Sequence, residues 1–234
     1  MIFVGKKNST SFFLLISLIL GLALYTALFS SCVYEDLSKC SRMFMLQPRY
    51  LLHTGEGDRF GEAVHHIDVY AFDSLGIYRK MFRDKGAHLK NGYRMPIDLP
   101  EGKWTFLCLG GKVGDYEIGI FKTGIPQQFS PAVSPGITTL SDFRVKAYFE
   151  QKENLEYSLG ELFFGRLDSV EITADNGGTG VVDLMKNTNK IEVRVKGIAD
   201  GSSARITSDN GRFNSENVTP ADAGTIIYLS LIHI

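Results

Sequence analysis

The chain is poor in cysteine, tryptophan and proline: its 234 residues include three Cys, one Trp and seven Pro. So few cysteines exclude a disulfide-stapled scaffold, and their spacings match no zinc site. Charge of one sign is also missing. Lys and Arg number 25 against 26 Asp and Glu, a formal net charge of −1, and no basic run occurs, so nucleic acid is not an expected partner. Long Ala-, Leu-, Glu- and Lys-rich stretches are absent beyond the N-terminal segment, and no strand–helix alternation points to a parallel-sheet enzyme. No tandem repeat stands out. Neither Gly-x-Ser-x-Gly nor His-Glu-x-x-His occurs. Acids are scattered, so no glycosidase pair can be chosen, and a Ser-His-Asp triad is defined in space rather than in sequence. No residue is assigned a catalytic, cofactor or metal role, and the chain is not expected to be an enzyme.

What the chain does have is one apolar run followed by strand-forming sequence. Lys6 and Lys7 precede an uncharged stretch from Ser11 to Leu28, which runs into Phe29-Ser30-Ser31-Cys32. This is the plan of a signal peptide. The small residues before Cys32 suit the cut and acylation of a bacterial lipoprotein, although Phe29 stands where Leu is usual. On this reading residues 1–31 are the signal peptide and Cys32 is the lipidation site. The run is close to bilayer-spanning length, so an uncleaved anchor and an ordinary cleaved leader remain alternatives. Glu35 and Asp36 stand where a stop-transfer segment would usually carry positive charge. Residues 32–42 read as a polar tether. Cys40 and Cys108 could pair in an oxidising compartment, while Cys108 also suits a small buried thiol.

Sixteen Phe, ten Tyr and 24 Gly favour strands and turns. Met43 to Tyr50 is an expected first strand, with Pro48 confining its far end to an edge or bulge. His53 to Ala63 reads as a loop. Val64 to Asp73 alternates Ile67, Val69 and Ala71 against Asp68, Tyr70 and Phe72, and Asp73-Ser74-Leu75-Gly76 turns it into Ile77 to Phe82. Gly92 to Leu99 is an expected edge strand because of Pro96, and Pro100-Glu101-Gly102 reads as a type II turn. Lys103 to Leu109 is apolar on both faces and is therefore expected to be central. Gly110 to Gly136 reads as one long connection, and Thr138 to Phe143 as a short helical turn before a strand. Leu162 to Gly165, Ser169 to Thr173, Val181 to Leu184, Ile191 to Val195, Ala204 to Ser208 and Thr225 to Leu231 complete the expected apolar patches and strands. Short strands at this spacing predict an all-β sandwich.

Several stretches invite chemical readings. His65 and His66 fall on opposite faces of a strand, whereas His66 and Asp68 share one; without a third ligand they read as a strand-entry pair rather than a metal site. Gly110-Gly111-x-x-Gly114 follows a strand, as a phosphate loop would, but Asp115 and Glu117 replace the required Lys and Ser/Thr, so it reads as a turn. Asn187-Thr188-Asn189 could meet sugar through its amides, or form a turn. Asn217-Val218-Thr219 matches a glycosylation acceptor, of little weight in a bacterial lipoprotein. Trp104 could form a sugar platform, but mid-strand it reads as core.

Taken together, the motifs resemble one family. They are Cys32-x-Tyr34-Glu35-Asp36-Leu37-Ser38-x-Cys40, Ile67 to Gly76, Leu99-Pro100-Glu101-Gly102-Lys103-Trp104 with Gly110-Gly111, Leu162-Phe163-Phe164-Gly165, and Val182 to Ile191. Their order and spacing, from Cys32 to about Gly197, resemble the FimB-like minor fimbrium anchoring subunits of Bacteroidales-type fimbriae. The resemblance implies transthyretin-like, Greek-key-type β-sandwich domains, over residues 43–166 and from 167 to 234. It implies a lipid-anchored protein of the outer membrane, surface-exposed at the base of a fimbrium, holding shaft subunits and limiting shaft length. Glu35-Asp36 is then also similar to an acidic surface-export signal, or is simply a solvated linker. Only 68 residues remain for the second domain, so an incomplete domain or non-native final residues are expected. The alternative is a last strand that pairs with another subunit by strand exchange. A surface glycan-binding lipoprotein is the second functional reading.

Overall fold

The computed structural model describes residues 43–51, 55, 57–121, 128–147, 159–173, 177–188, 203–208, 211–220 and 226–231. Cys32 and the strand expected at Ile191 to Val195 lie outside the described residues. The described part is all-β, as the turn spacing predicts, with a short α-helical turn, α1 (Phe60–Ala63), inside the expected loop.

The central sheet is built from β2 (His66–Phe72), β3 (Tyr78–Lys85), β5 (Gly102–Gly111), β9 (Leu162–Ile172) and β11 (Met185–Lys186), in the order β11-β9-β5-β2-β3 with every pair antiparallel. Both of its faces are covered. Ile67, Val69, Ala71, Trp104, Phe106, Cys108 and Phe163 face one apolar core with Phe44, Leu46, Met95, Ile97 and Val182. Those last five come from the sheet β10-β1-β4, made of β10 (Thr179–Asp183), β1 (Phe44–Arg49) and β4 (Met95–Ile97). Tyr70, Phe72, Leu107, Leu109, Leu162 and Phe164 face a second core with Phe143 and Val145. That side is closed by β8 (Phe143–Ala147), in the sheet β13-β8-β6-β7 with β13 (Arg212–Asn214), β6 (Tyr116–Phe121) and β7 (Phe129–Ser130). The alternation in β2 and β5 therefore puts apolar residues into two cores, and each fully buried Phe contributes roughly 2 kcal/mol through the area it removes from water. Outside these three sheets, β12 (Ser203–Ser208) pairs antiparallel with β14 (Ile226–Leu231), so the last described strand has a partner within the chain.

Proline acts as its chemistry requires. β4 is an edge strand, and Pro96 stands exposed on it. Pro48 pairs with Val182 of β10, but β4 reaches only as far as Leu46, so the second side of β1 is unpaired by β4 at Pro48. Gly76 takes φ +72° in the β2–β3 turn, as expected of that position.

Three expectations are corrected. Residues 110–136 are not one connection, since β6 and β7 lie within them. Gly119 hides β6 from a sequence reading, and it is glycine because a Cβ there would stand 2.0 Å from the Ser130 carbonyl oxygen. Residues 138–142 form turns rather than helix, although the Asp142 amide does donate to Thr139 Oγ1 at 3.3 Å in a cap-like contact. The segments at 162–165 and 169–173 join as β9, where Asp168 and Ser169 together oppose Thr105 in a bulge with Ser169 at φ +55°. Within this strand Leu167 pairs with Phe106.

Candidate functional site

The polar groups of the central sheet are organised by a one-residue bulge. In β2–β3 the pairing moves from Phe72↔Tyr78 to Ala71↔Lys80, leaving Arg79 as the extra residue. Beyond the bulge, Asp68 stands opposite Arg83; without it the partner would be Phe82. The Asp68 side chain is wholly buried, and Arg83 closes on it with Nε to Oδ1 at 2.6 Å and Nη2 to Oδ2 at 2.7 Å. His66 Nε2 lies 2.9 Å from Asp68 Oδ1. The shared face of His66 and Asp68 is therefore real, but it is occupied by a guanidinium. Burial, reinforced by the Asp68 charge, pushes the neighbouring Tyr70 phenol up from its ordinary range.

The bulged Arg79 reaches back to the turn and donates from Nε to Asp73 Oδ2 at 2.6 Å. Burial opposes the charge on Asp73, but the Ile77 and Leu75 amides and Arg79 outweigh it and hold the carboxyl below its usual range. Asp84 is built alike. Burial opposes its charge, while Tyr93 Oη and His88, at 2.9 Å, hold it low. Sequence reasoning missed Arg83, Asp84 and Tyr93 as partners. Cross-strand counting from the turn would have found Arg83 had the bulge been legible.

The other candidates are placed as follows. Trp104 is 6% exposed and packs in the first core, with Nε1 donating to the Pro100 carbonyl at 3.1 Å. It is core, not a platform. Asp73, Arg79, Lys80, Asp98, Leu99, Pro100 and Trp104 line an open depression beside it of about 490 Å³. Cys108 is free and wholly buried, and burial pushes its thiol up; Cys40 lies outside the described residues. Gly111 ends β5 at φ +90°, where a Cβ would stand 2.3 Å from the Glu161 carbonyl oxygen, and a 3-10 turn at Val113–Asp115 follows. That geometry is a strand exit and holds no helix start for phosphate. Asn187 and Asn217 exchange amide hydrogen bonds, the return bond from Asn217 Nδ2 measuring 3.0 Å, so the Asn187 amide is engaged within the chain. Among the described residues no group of three or more His, Cys, Asp or Glu could hold a metal ion, and no helix is long and apolar enough to cross a membrane.

Comparison with known proteins places this architecture. The family model of fimbrillin-A associated anchor proteins Mfa1 and Mfa2 matches residues 37–231. The chain belongs to this anchor-protein family. Among solved structures it is similar to the fimbrial anchor protein Mfa2 from Porphyromonas gingivalis, with 18% identity and a TM-score of 0.56 over 80% of this chain and 66% of that one. It is also similar to a candidate polysaccharide-binding protein from Bacteroides thetaiotaomicron, with 20% identity and a TM-score of 0.62 over 79% of this chain and 63% of that one. A candidate adhesin from the same organism matches with 25% identity and a TM-score of 0.62, over 80% of this chain and 61% of that one. This anchor-family chain thus spans less than two thirds of the length of these structures. No curated protein matches its sequence.

Proposed function

We propose that this chain is a lipid-anchored structural protein at the base of a surface fimbrium, which fastens the shaft to the outer membrane and limits its length. The family match over residues 37–231 carries the reading. The membrane end is supported by the sequence: residues 1–31 fit a signal peptide, and Cys32 follows Leu28-Phe29-Ser30-Ser31 as an acylation site. Two or more acyl chains on Cys32 give stable anchoring where one gives only marginal binding. Residues 33–42 then act as the tether from lipid to β1. The other end is the stacked sheets, whose rigidity suits a load-bearing grip on shaft subunits through strand edges, strand exchange included.

Deletion of the chain in a fimbriated host is expected to give longer shafts that detach from cells, and an affinity-tagged chain is expected to co-purify with shaft subunits. Fimbriae of unchanged length and attachment would contradict the reading. One observation favours a second reading, a surface glycan-binding lipoprotein: a similar solved structure is described as a candidate polysaccharide-binding protein. Retardation in a polysaccharide-loaded gel, with no shaft subunit co-purifying, would select it.

A further inference from the structure

At the edge of the central sheet an exposed thioether meets a fixed amide donor. Met185, on the edge strand β11, is 56% exposed, whereas Met95 in the first core is 3% exposed. The Met185 sulfur is not bare: Asn217 Nδ2 donates to Sδ at 3.8 Å. The same amide donates its second hydrogen to Asn187 Oδ1 at 3.0 Å, and Asn187 returns a bond to Asn217 Oδ1. Turning the Asn217 amide over would break both of these bonds, so the hydrogen aimed at the sulfur stays aimed there.

Both partners are held by backbone. Met185 pairs with Phe164 of β9. Asn217 takes φ +60° in the turn that follows β13, where its own amide donates to the Asn214 carbonyl at 3.0 Å. Asn214 Oδ1 closes that turn by accepting from the Glu216 and Val218 amides, each at 3.0 Å. A thioether is a weak acceptor, so a well-placed N–H is underused here. A sulfoxide oxygen is a far better acceptor, and the gap fits one. With an S–O bond of about 1.5 Å and an angle of about 120° at oxygen, an oxygen on this side of the sulfur would stand about 2.8 Å from Nδ2, an ordinary hydrogen-bond length.

We propose that Met185 is a sulfoxidation site, oxidised by hydroperoxides to one sulfoxide epimer that Asn217 holds. The sulfur lone pair attacks the terminal peroxide oxygen. The S–O bond forms as the O–O bond breaks, and the proton of the transferred oxygen passes to the leaving oxygen, which departs as water or an alcohol. The sulfur loses two electrons and the peroxide gains them. Oxidation makes the sulfur a chiral centre, so only one epimer aims its oxygen at Nδ2. The N–H selects that epimer by binding the oxygen as it is transferred. Sulfoxide in a core is disruptive; at this exposed edge it adds a hydrogen bond between β11 and the turn after β13.

The test treats the full chain with hydrogen peroxide, digests it and follows the methionine peptides by mass spectrometry. Met185 gains oxygen at least about tenfold faster than Met95. The two methionine sulfoxide reductases, each acting on one epimer, then read the configuration in the digest. One of them reverses the Met185 sulfoxide about fivefold more completely than the other. In Asn217→Asp, which keeps the shape and removes the donor, that ratio falls to about one; Asn217→Gly, which suits the same positive φ, repeats the comparison if the first variant does not fold. Amide hydrogen exchange over residues 214–218 slows about threefold on oxidation of the unsubstituted chain. Oxidation of Met185 no faster than Met95, equal epimers in the unsubstituted chain, a ratio unchanged by loss of the Asn217 amide, or unchanged exchange over 214–218 would each overturn the proposal.

Discussion

A carboxylate sealed from water costs several kcal/mol unless it is matched, and Asp68 is matched by a guanidinium whose own side chain stays half in solvent. The two residues are therefore not equivalent. Arg83→Met leaves a buried carboxylate with only His66 beside it, and is expected to cost about 3 kcal/mol. Asp68→Asn lets Arg83 turn into water and keeps a polar group where one is needed, so it is expected to cost about 1 kcal/mol. Urea unfolding of both variants measures the difference, and equal losses would contradict this description of the pair.

At the scale of the element, the β2–β3 hairpin couples turn, bulge and ion pair. Asp73 at its tip and Asp84 near its end both have carboxyls held below their ordinary range in the folded chain. The sign follows. Stability from these groups is fully present above their unfolded value, about 4, and is lost as pH falls through that region towards the lower folded value. Thermal unfolding between neutral pH and pH 3 is expected to show this loss, with a shallower fall in Asp73→Asn and Asp84→Asn. A fall as steep in both variants would count against the assignment. The hairpin also shows what a sequence can disclose. β2, its turn and β5 were legible because each strand is a short apolar run on both faces, bounded by turn formers. The bulges were not: an extra Arg79 or Ser169 leaves no compositional trace, yet each resets every pairing beyond it. So Asp68 was visible as a polar residue on an apolar face, while its partner Arg83 was not. β6 escaped because Glu117 and Gly119 read as turn chemistry, when the glycine answers the close approach of Ser130.

For the whole molecule, the central sheet carries an apolar core on each face, and the chain belongs to the anchor-protein family. The proposed lipid end is read from sequence alone, in the apolar run that precedes Cys32, because acylation would be a matter of covalent chemistry rather than packing. The most direct measurement replaces Cys32 with Ala and follows both the protein and the fimbriae between the cell envelope and the medium. The account predicts that the variant leaves the membrane fraction and that fimbriae are shed with it. A Cys32→Ala protein retained in the membrane fraction, with fimbriae still attached to cells, would contradict it.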